Sequence, residues 1–526
     1  MSDADRLVAL LEGKLRPLDT ALAEAWWETN TRASPEAAQR RERIELERRE
    51  LLGDPDAFRA IEAARQRADR FDRLVARQLQ VLHNAFAPHQ IDADLRRRIV
   101  ELEVAVETTF NTFRGEIDGR RVDDNTIADI LRSSADSVER RHAWEAAKQV
   151  GAEVATQVRE LARLRNEAAR HLGYRDYFAL ALATNELDEQ RLFATLGEVE
   201  RVSIDPFTAW KGRLDAALAE RFGCDPGDLR PWHLDDPFFQ DPPIRGAVDL
   251  DPLFSNADTE ALTVRSYDGI GLDMRPVLER SDLYSREGKS QHAFCIHIDR
   301  EGDVRVLCNI ERTERWTETM LHEFGHAAYD RELDPSLPWL LREPAHALTT
   351  EGVAMLCGRL AREPSWLTAV AGVGPAQVEQ LAPRLAEARR AALLVFARWV
   401  LVMTHFERGL YADPDADHDM RWWDLVERFQ LVRRPDGRHA PDWAAKIHLT
   451  VAPVYNQNYL YGELVASQLQ AMLDARAGGL VDRAEAGRLL VERFFRPGAA
   501  LRWDDLVRQA TGEPLTAAHL ARQLAA

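Results

Sequence analysis

Cysteine is scarce in this sequence, and its four copies lie far apart. Cys224, Cys295, Cys308 and Cys357 form no CxxC pair, which argues against both a zinc ribbon and a dense disulfide framework. Cys295 and Cys308 are close enough in sequence for a single bridge to be considered. We expect instead that all four side chains are buried as small hydrophobic groups.

Positive charge is also in short supply. The 526 residues include 69 Lys and Arg against 87 Asp and Glu, which gives a formal net charge of -18. Nucleic-acid binding depends mainly on clustered Lys and Arg, so this balance argues against a nucleic-acid partner. With 45% hydrophobic and 30% charged residues, the composition is typical of a globular protein and excludes disorder as the main state.

No apolar stretch is long enough to span a bilayer. The longest, residues 391–403, is interrupted by Arg398 and is too short for a transmembrane helix. The first residues, MSDADRLVALLEGK, contain no basic segment followed by an apolar core, so no signal peptide is predicted. We therefore expect a cytoplasmic protein without a membrane partner. Its oligomeric state is not indicated by any pattern.

Proline is absent between Pro88 and Pro206, and eight prolines then follow from Pro206 to Pro276. A long stretch without proline that is rich in Ala, Leu, Glu and Arg favours continuous helices. One apolar face illustrates the helical spacing: Val158, Leu161, Leu164, Ala168 and Leu172. Gly173 follows directly and suits the end of that helix.

The proline-rich segment contains the clearest strand signal. Residues 293–298 and 304–308 are short apolar runs separated by Glu301-Gly302-Asp303, a pattern that predicts a β-hairpin. After Glu311 the helical pattern returns. We expect a helical lobe over residues 1–205, a proline-rich segment with the hairpin over 206–310, and a second helical region over 311–526.

The second helical region contains the sequence HExxH, with His322, Glu323 and His326. On a helix these histidines lie one turn apart on the same side, so both imidazoles can reach one metal ion. Glu323 is placed to take a proton from a water at that metal. The motif is short enough to occur by chance, but its neighbours predict a buried helix, in which two histidines and a glutamate need partners. These apolar neighbours are Met320, Leu321, Phe324, Ala327 and Ala328.

A catalytic zinc ion held by two histidines needs a third protein ligand. The position at which metzincins have histidine is Glu332, and the position of the thermolysin-type glutamate is His346. Glu351 follows His326 by 25 positions and lies in an apolar helical run. We predict Glu351 as the third ligand, with Glu343 and His346 as the alternatives.

HExxH followed by a glutamate about 25 positions later resembles the family of thimet oligopeptidase and oligopeptidase F, and the related angiotensin-converting-enzyme family. Further segments resemble both families and follow the family order from about residue 110 to 470. These segments are NEAARHLGYRDY at 166–177, DLYSREGKSQHAFC at 282–295, and WAAKIH at 443–448 followed by YNQNYLY at 455–461.

The last of these segments implies donors for the oxyanion that forms when water attacks an amide. His448, Tyr455 and Tyr459 are the candidates, and each such donor typically stabilises the transition state by about 3 kcal/mol. The two tyrosines are four residues apart, so a helix presents both on one side. Tyr459 falls eleven residues after His448, where the converting enzymes have ten, which leaves open whether Tyr455 or Tyr459 is the donor. Tyr461, on another face, either contacts substrate or is packed in the core.

Two further elements are candidates for substrate binding. His292, Ala293 and Phe294 resemble an edge strand with which an extended peptide can pair. Lys446 is placed by the resemblance to the converting enzymes to meet a substrate carboxylate; otherwise it is a solvated lysine. One departure is clear: the converting enzymes have Asp four residues after the glutamate ligand, where this sequence has Met355.

The resemblance implies a mostly α, two-lobed metallopeptidase with a deep central channel and a small β-sheet near the zinc site. The three segments then form one interdependent catalytic unit, which binds one Zn2+ ion and hydrolyses short peptides. The first alternative is a carboxypeptidase or peptidyl-dipeptidase that trims C-terminal residues, since the sequence after His326 is also similar to that of the thermostable metallocarboxypeptidases. Catalytically inactive peptide binding and a purely structural metal site are the remaining alternatives.

Overall fold

The structure, a computed structural model, is mostly α-helical and describes residues 2–32, 34–243 and 249–525. Helices account for 71% of it, so the predicted mostly α class is confirmed. The α-helices of the described residues are α1 (Asp3–Thr31), α2 (Pro35–Leu52), α3 (Pro55–Arg65), α4 (Arg73–Phe86), α5 (Ala93–Thr112), α6 (Asp124–Ser133), α7 (Ser137–His171), α8 (Tyr177–Thr184), α9 (Glu189–Phe222), α10 (Asp251–Phe254), α11 (Thr259–Gly269), α12 (Arg275–Leu278), α13 (Glu314–Arg331), α14 (Ala347–Gly358), α15 (Pro364–Ala369), α16 (Pro375–Ala412), α17 (His418–Gln430), α18 (His448–Val451), α19 (Asn456–Ala477), α20 (Ala484–Leu490), α21 (Trp503–Thr511) and α22 (Ala518–Ala525).

Two antiparallel hairpins make up the β-structure of the described part of the chain. In the first, β1 (Gly115–Ile117) pairs with β2 (Arg120–Val122) across Asp118 and Gly119, whose φ angles are 49° and 75°. In the second, β3 (Phe294–His297) pairs with β4 (Val304–Leu307). The sequence predicts the second hairpin, whereas the first was not predicted.

The chain divides into two compact units. Unit 1 comprises Met1–Gln90, Val248–Leu385 and Tyr461–Leu520. Helices α1 to α4 enclose an apolar core that includes Leu11, Leu79 and Phe86. Elsewhere in unit 1, the strands β3 and β4 and the helix α14 all pack against α13. The HExxH helix is therefore covered by the small sheet on one side and by α14 on another.

Unit 2 comprises Ile91–Ala247, Ala386–Leu460 and Ala521–Ala526. Its longest complete helix is α7, which has 35 residues and packs against α5 and α6. The predicted apolar face of α7 is buried, with Val158, Leu161 and Ala168 at 3%, 0% and 5% exposure. Gly173 follows the helix with a φ of 84°, the left-handed conformation that glycine adopts most readily at a helix end.

The predicted segments 1–205, 206–310 and 311–526 each contribute to both units, and their working as one interdependent catalytic unit stays a prediction. Residues 244–248 of the proline-rich segment lie outside the described residues. Among the helices that are described, none combines the length and apolar character needed to cross a membrane. The cytoplasmic location stays a prediction.

The cysteines are all free thiols, so the bridge considered between Cys295 and Cys308 is not present. Cys308 and Cys357 are buried as expected, but Cys224 and Cys295 are only partly buried. The expectation of four buried cysteines is therefore wrong for two of them. Cys224 follows the end of α9, and Cys295 lies on β3, which pairs in the described residues with β4 alone.

Candidate metal centre and active site

The two histidines of HExxH lie side by side on α13. The helix begins after Thr313, whose hydroxyl oxygen accepts the backbone N–H of Trp316 at 3.3 Å. The ring centroids of His322 and His326 are 5.0 Å apart. The apolar neighbours of the pair are buried, as the sequence predicts, with Met320, Leu321, Phe324 and Ala327 at 0% exposure.

Glu351 of α14 meets this histidine pair. Its Oε2 lies 3.8 Å from Nε2 of His322, and the candidate ligand atoms of His322, His326 and Glu351 all lie within 4.8 Å of one another. In the described residues this is the group of His, Cys, Asp or Glu side chains that could hold a metal ion. Three such donors leave a coordination position open, as catalytic zinc sites do.

The two alternative ligands are engaged elsewhere. Glu343 forms an ion pair with Arg300 at 2.7 Å. His346 precedes α14, and its Nδ1 accepts the backbone N–H of Leu348 at 3.0 Å, so it caps the helix that carries Glu351. The geometry thus favours Glu351 over both alternatives.

Close helix packing brings these side chains together. A Cβ atom added to Gly325, within HExxH, would lie only 2.9 Å from the Cα of Ala354 on α14. A Cβ on Gly462 of α19 would lie 3.1 Å from the Cβ of Glu351. The absence of side chains at these two positions lets α13, α14 and α19 approach closely enough for their donors to converge.

Burial disfavours charge on all three candidate ligands. It lowers the pKa of His322 to about 4. Burial, together with the neighbouring His322, lowers the pKa of His326 to about 3. Burial and the charge of Glu463 raise the pKa of Glu351 to about 7. No cationic group of the described residues lowers the pKa of Glu351. Two neutral imidazoles and this carboxyl group form a donor set that suits a divalent cation, because the positive charge of the cation would favour the ionised carboxylate.

Glu323, the acidic residue of the motif, is buried, with 8% exposure. Burial, followed by the charge of Glu351, raises its pKa to about 8, while a hydrogen bond from the backbone N–H of Cys295 on β3 acts in the opposite direction. The small sheet therefore contacts the predicted general base directly. A carboxyl group whose pKa lies near neutrality can both accept and release a proton.

The sequence reasoning missed a partner of His326. The hydroxyl oxygen of Thr350 lies 2.7 Å from Nδ1 of His326. Histidines that bind metals usually donate their second ring N–H to such an acceptor, which fixes the ring orientation and leaves the other nitrogen for the metal. Nothing in the sequence marks Thr350 beyond its position next to Glu351.

A second missed feature is a pair of arginines in the turn after α14. Arg359 binds the carboxylate of Glu463, which is the acidic neighbour of Glu351. Three residues later, Arg362 binds Glu314 of α13 at 2.8 Å. The turn that follows the Glu351 helix is thereby tied to both α19 and the HExxH helix.

Of the three residues predicted as an edge strand, only Phe294 lies in β3. Exposed His292 and half-buried Ala293 precede the strand. The ladder starts at Phe294 because its partner, Leu307, is the last residue of β4. The ring of Phe294 packs edge-on against two tryptophans of α1, at centroid distances of 6.3 and 6.2 Å. The substrate-binding role of the three residues stays a prediction.

Unit 2 contains the predicted histidine and lysine. His448 is the first residue of α18, and its Nδ1 is buried without a hydrogen-bond partner in the described residues. Burial, followed by the charge of Lys446, lowers the pKa of His448 to about 4. Lys446 is not a solvated lysine, because its Nζ donates to Oε1 of Gln240 at 2.8 Å and lies 5.2 and 5.0 Å from the ring centroids of Phe238 and Trp399.

The tyrosines separate into two groups. Tyr455 precedes α19 and Tyr459 lies in its first turn, with ring centroids 5.1 Å apart, so both lie on one side as predicted. Tyr461 is 2% exposed and packs against Trp503, which favours packing over substrate contact. Whether Tyr455 or Tyr459 is the oxyanion donor stays open.

The comparison with protein families supports the resemblance predicted from the sequence. The family model described as angiotensin-converting enzyme matches residues 1–204. A search of curated proteins finds no match to the chain. The matched region ends before the HExxH helix, so it supports the predicted resemblance independently of the motif. The match covers 204 of the 526 residues, agrees with the predicted resemblance to the angiotensin-converting-enzyme family and supports a metallopeptidase.

Proposed function

We propose that the protein is a zinc-dependent peptidase that hydrolyses peptide bonds in short peptides, with Glu323 as general base. The observation that carries this proposal is the convergence of His322, His326 and Glu351 beside a buried Glu323. One zinc ion held by these three side chains would activate water and polarise the substrate carbonyl. Three converging donors, rather than four, support a catalytic site over a structural one.

In this mechanism Glu323 takes a proton from the attacking water and then gives it to the leaving amine. Its burial and raised pKa support this role, because the same carboxyl group must hold the proton between the two steps. His448, Tyr455 and Tyr459 donate hydrogen bonds to the oxyanion or to the substrate backbone. The intact Glu323 argues against an inactive peptide-binding protein.

The test compares Glu323→Gln with the unchanged protein, using a fluorogenic peptide and metal analysis. We expect the variant to keep stoichiometric zinc and to lose hydrolysis by at least about 100-fold, since a general base contributes about that much. Chelation should abolish the activity of the unchanged protein, and added zinc should restore it. Equal activity in the variant would remove the proposed mechanism.

Trimming of C-terminal residues is the second candidate function. It is favoured by the half-buried ammonium group of Lys446, whose hydrogen-bond partner is the neutral amide of Gln240, because such a cation can pair with a substrate carboxylate. Peptides with free and amidated C-termini distinguish the two modes. Cleavage of both at similar rates supports internal cleavage, and loss of cleavage on amidation supports trimming.

A further inference from the structure

The segment that joins His448 to α19 is held by two buried ionisable side chains from other helices of unit 2. Arg165 of α7 is 4% exposed, and it donates to the backbone oxygens of Leu449 and Thr450 at 3.0 and 2.7 Å. Glu407 of α16 is 1% exposed and binds the other end of the segment. Burying such polar groups is costly unless they are hydrogen-bonded, and both side chains use backbone groups of this segment as partners.

Glu407 contacts the residues on both sides of Tyr455. Its Oε1 accepts the backbone N–H of Val454 at 2.8 Å, and its Oε2 accepts the side-chain amide of Asn456 at 3.3 Å. Val454 and Asn456 are 4% and 2% exposed. A single carboxylate therefore fixes a three-residue stretch whose central residue is Tyr455.

Val454 adopts a conformation that it would not adopt by itself. Its φ is 55°, and a β-branched side chain in the left-handed region is a true outlier. Such strain persists only where the surroundings hold it. Glu407 holds the N–H of Val454, and the side-chain amide of Gln457 donates to its carbonyl oxygen at 2.5 Å. Without the carboxylate, relaxation of Val454 would rotate the chain at the next residue, Tyr455.

We infer that Glu407 is a positioning residue, which keeps Val454 in its strained conformation and thereby aims the side chain of Tyr455 for the reaction. The inference rests on the proposed function, because it gives Tyr455 a role in catalysis. It adds that this role depends on a carboxylate that does not itself touch substrate.

Double-variant kinetics test the inference. The variants are Glu407→Ala, Tyr455→Phe and Val454→Gly, together with the combinations of Glu407→Ala with each of the other two. Glu407→Gln keeps an acceptor oxygen and serves as the conservative rescue. Asp176→Ala is the matched control, because Asp176 is also a buried carboxylate of unit 2 (3% exposed) that accepts a backbone N–H, from Ala179 at 2.8 Å. Zinc content and circular dichroism are measured for each variant.

We expect Tyr455→Phe to lower kcat about 100-fold and Glu407→Ala to lower it about 10- to 100-fold, since misplacement by about 1 Å can cost that much. The double variant should be no slower than Tyr455→Phe within about twofold, because both changes remove one function. The protein with both Glu407→Ala and Val454→Gly should have a kcat at least about threefold higher than Glu407→Ala alone, since glycine needs no restraint at positive φ. Glu407→Gln should stay within about threefold of the unchanged protein.

The inference would be overturned if the losses of kcat caused by Glu407→Ala and Tyr455→Phe multiply in the double variant. It would also be overturned if Val454→Gly restores none of the kcat lost in Glu407→Ala. Asp176→Ala combined with Tyr455→Phe should show the multiplying behaviour expected of unrelated sites. If Glu407→Ala fails to fold, the cycle is measured with Glu407→Asp, whose shorter side chain draws the carboxylate away from Val454 and Asn456. The absence of any loss of kcat in Glu407→Asp, or a loss that multiplies with that of Tyr455→Phe, then contradicts the inference. Failure of the proposed function is distinct, since the unchanged protein would then lack zinc or hydrolysis.

Discussion

The hydroxyl group of Thr350 sets which nitrogen of His326 faces the candidate metal. With Nδ1 occupied at 2.7 Å, Nε2 remains for coordination. A metal-bound histidine must donate its Nδ1–H to this oxygen, so Thr350 acts as an acceptor. This is a neutral acceptor, and the aspartate that the converting enzymes place at the position of Met355 is absent.

Replacement of Thr350 tests this contact. We expect Thr350→Val to raise the dissociation constant for zinc about 10- to 100-fold, and Thr350→Ser to keep the original affinity. Zinc affinity is measured by competition with a chromogenic chelator. Thr319→Val is the control, because the Thr319 hydroxyl, on the helix that carries His326, donates to the carbonyl oxygen of Arg315 at 2.9 Å. Equal affinity of the Thr350→Val and Thr319→Val proteins would contradict the role.

His233 makes the stability of the protein dependent on pH. It is 4% exposed, and its Nδ1 accepts the backbone N–H of Arg230 at 2.8 Å. Burial lowers its pKa to about 4 from the ordinary value of 6.5. Between these values the unfolded chain binds a proton that the folded chain does not, so the free energy of unfolding falls as the pH decreases through this range. The contribution of His233 to that fall is up to about 3 kcal/mol.

Replacement by asparagine isolates this contribution, since its side-chain oxygen can still accept the Arg230 amide. We expect the free energy of unfolding of His233→Asn to decrease less between about pH 7 and pH 4.5 than that of the unchanged protein. Urea denaturation at each pH measures the difference. His171→Asn, at an exposed position at the end of α7, should follow the unchanged protein. Parallel curves for His233→Asn and the unchanged protein would exclude the effect.

At the scale of elements, the packing of α13 against α14 depends on a glycine in the motif. We expect Gly325→Ala to reduce the free energy of unfolding by about 1 to 3 kcal/mol, because overpacking forces the backbones of the two helices apart. The same movement should weaken zinc binding by shifting Glu351 away from the histidines. Gly197→Ala is the control, since Gly197 lies in α9 with no atom within 4 Å of an added Cβ. The free energy of unfolding of this control should increase by about 0.5 to 1 kcal/mol. Denaturant unfolding and the chelator competition measure both effects.

The elements differ in how well the sequence predicts them. Helical periodicity predicts the apolar face of α7, because residues three and four positions apart lie on the same side of any α-helix. The β1–β2 hairpin was missed inside the stretch without proline, although Asp118-Gly119 is a strong turn signal. Its strands have three residues each, too few for an alternating pattern to be recognised. The edge strand was placed two residues too early, because the position of Leu307 in the partner strand sets where pairing begins.

At the scale of the whole molecule, metal binding should be visible as stability. A ligand that binds only the folded state raises the free energy of unfolding by about 4 kcal/mol at a thousandfold excess over its dissociation constant. We expect chelation to lower the melting temperature and to abolish hydrolysis, with both restored by zinc. Glu351→Ala should melt at the same temperature with and without chelator. Differential scanning calorimetry measures the shift, and an unchanged melting temperature of the original protein on chelation would contradict zinc binding.

The sequence by itself determined the mostly helical class, the resemblance to the converting enzymes and the pairing of His322 with His326, because these depend on local periodicity and on residues close together in the chain. Tertiary structure decided what distant residues do. It favoured Glu351 over Glu343 and His346 and brought Thr350 to His326. It also brought Glu407 into contact with the residues on both sides of Tyr455. These contacts depend on how closely helices approach, which is set by packing at positions such as Gly325 that no short-range pattern marks.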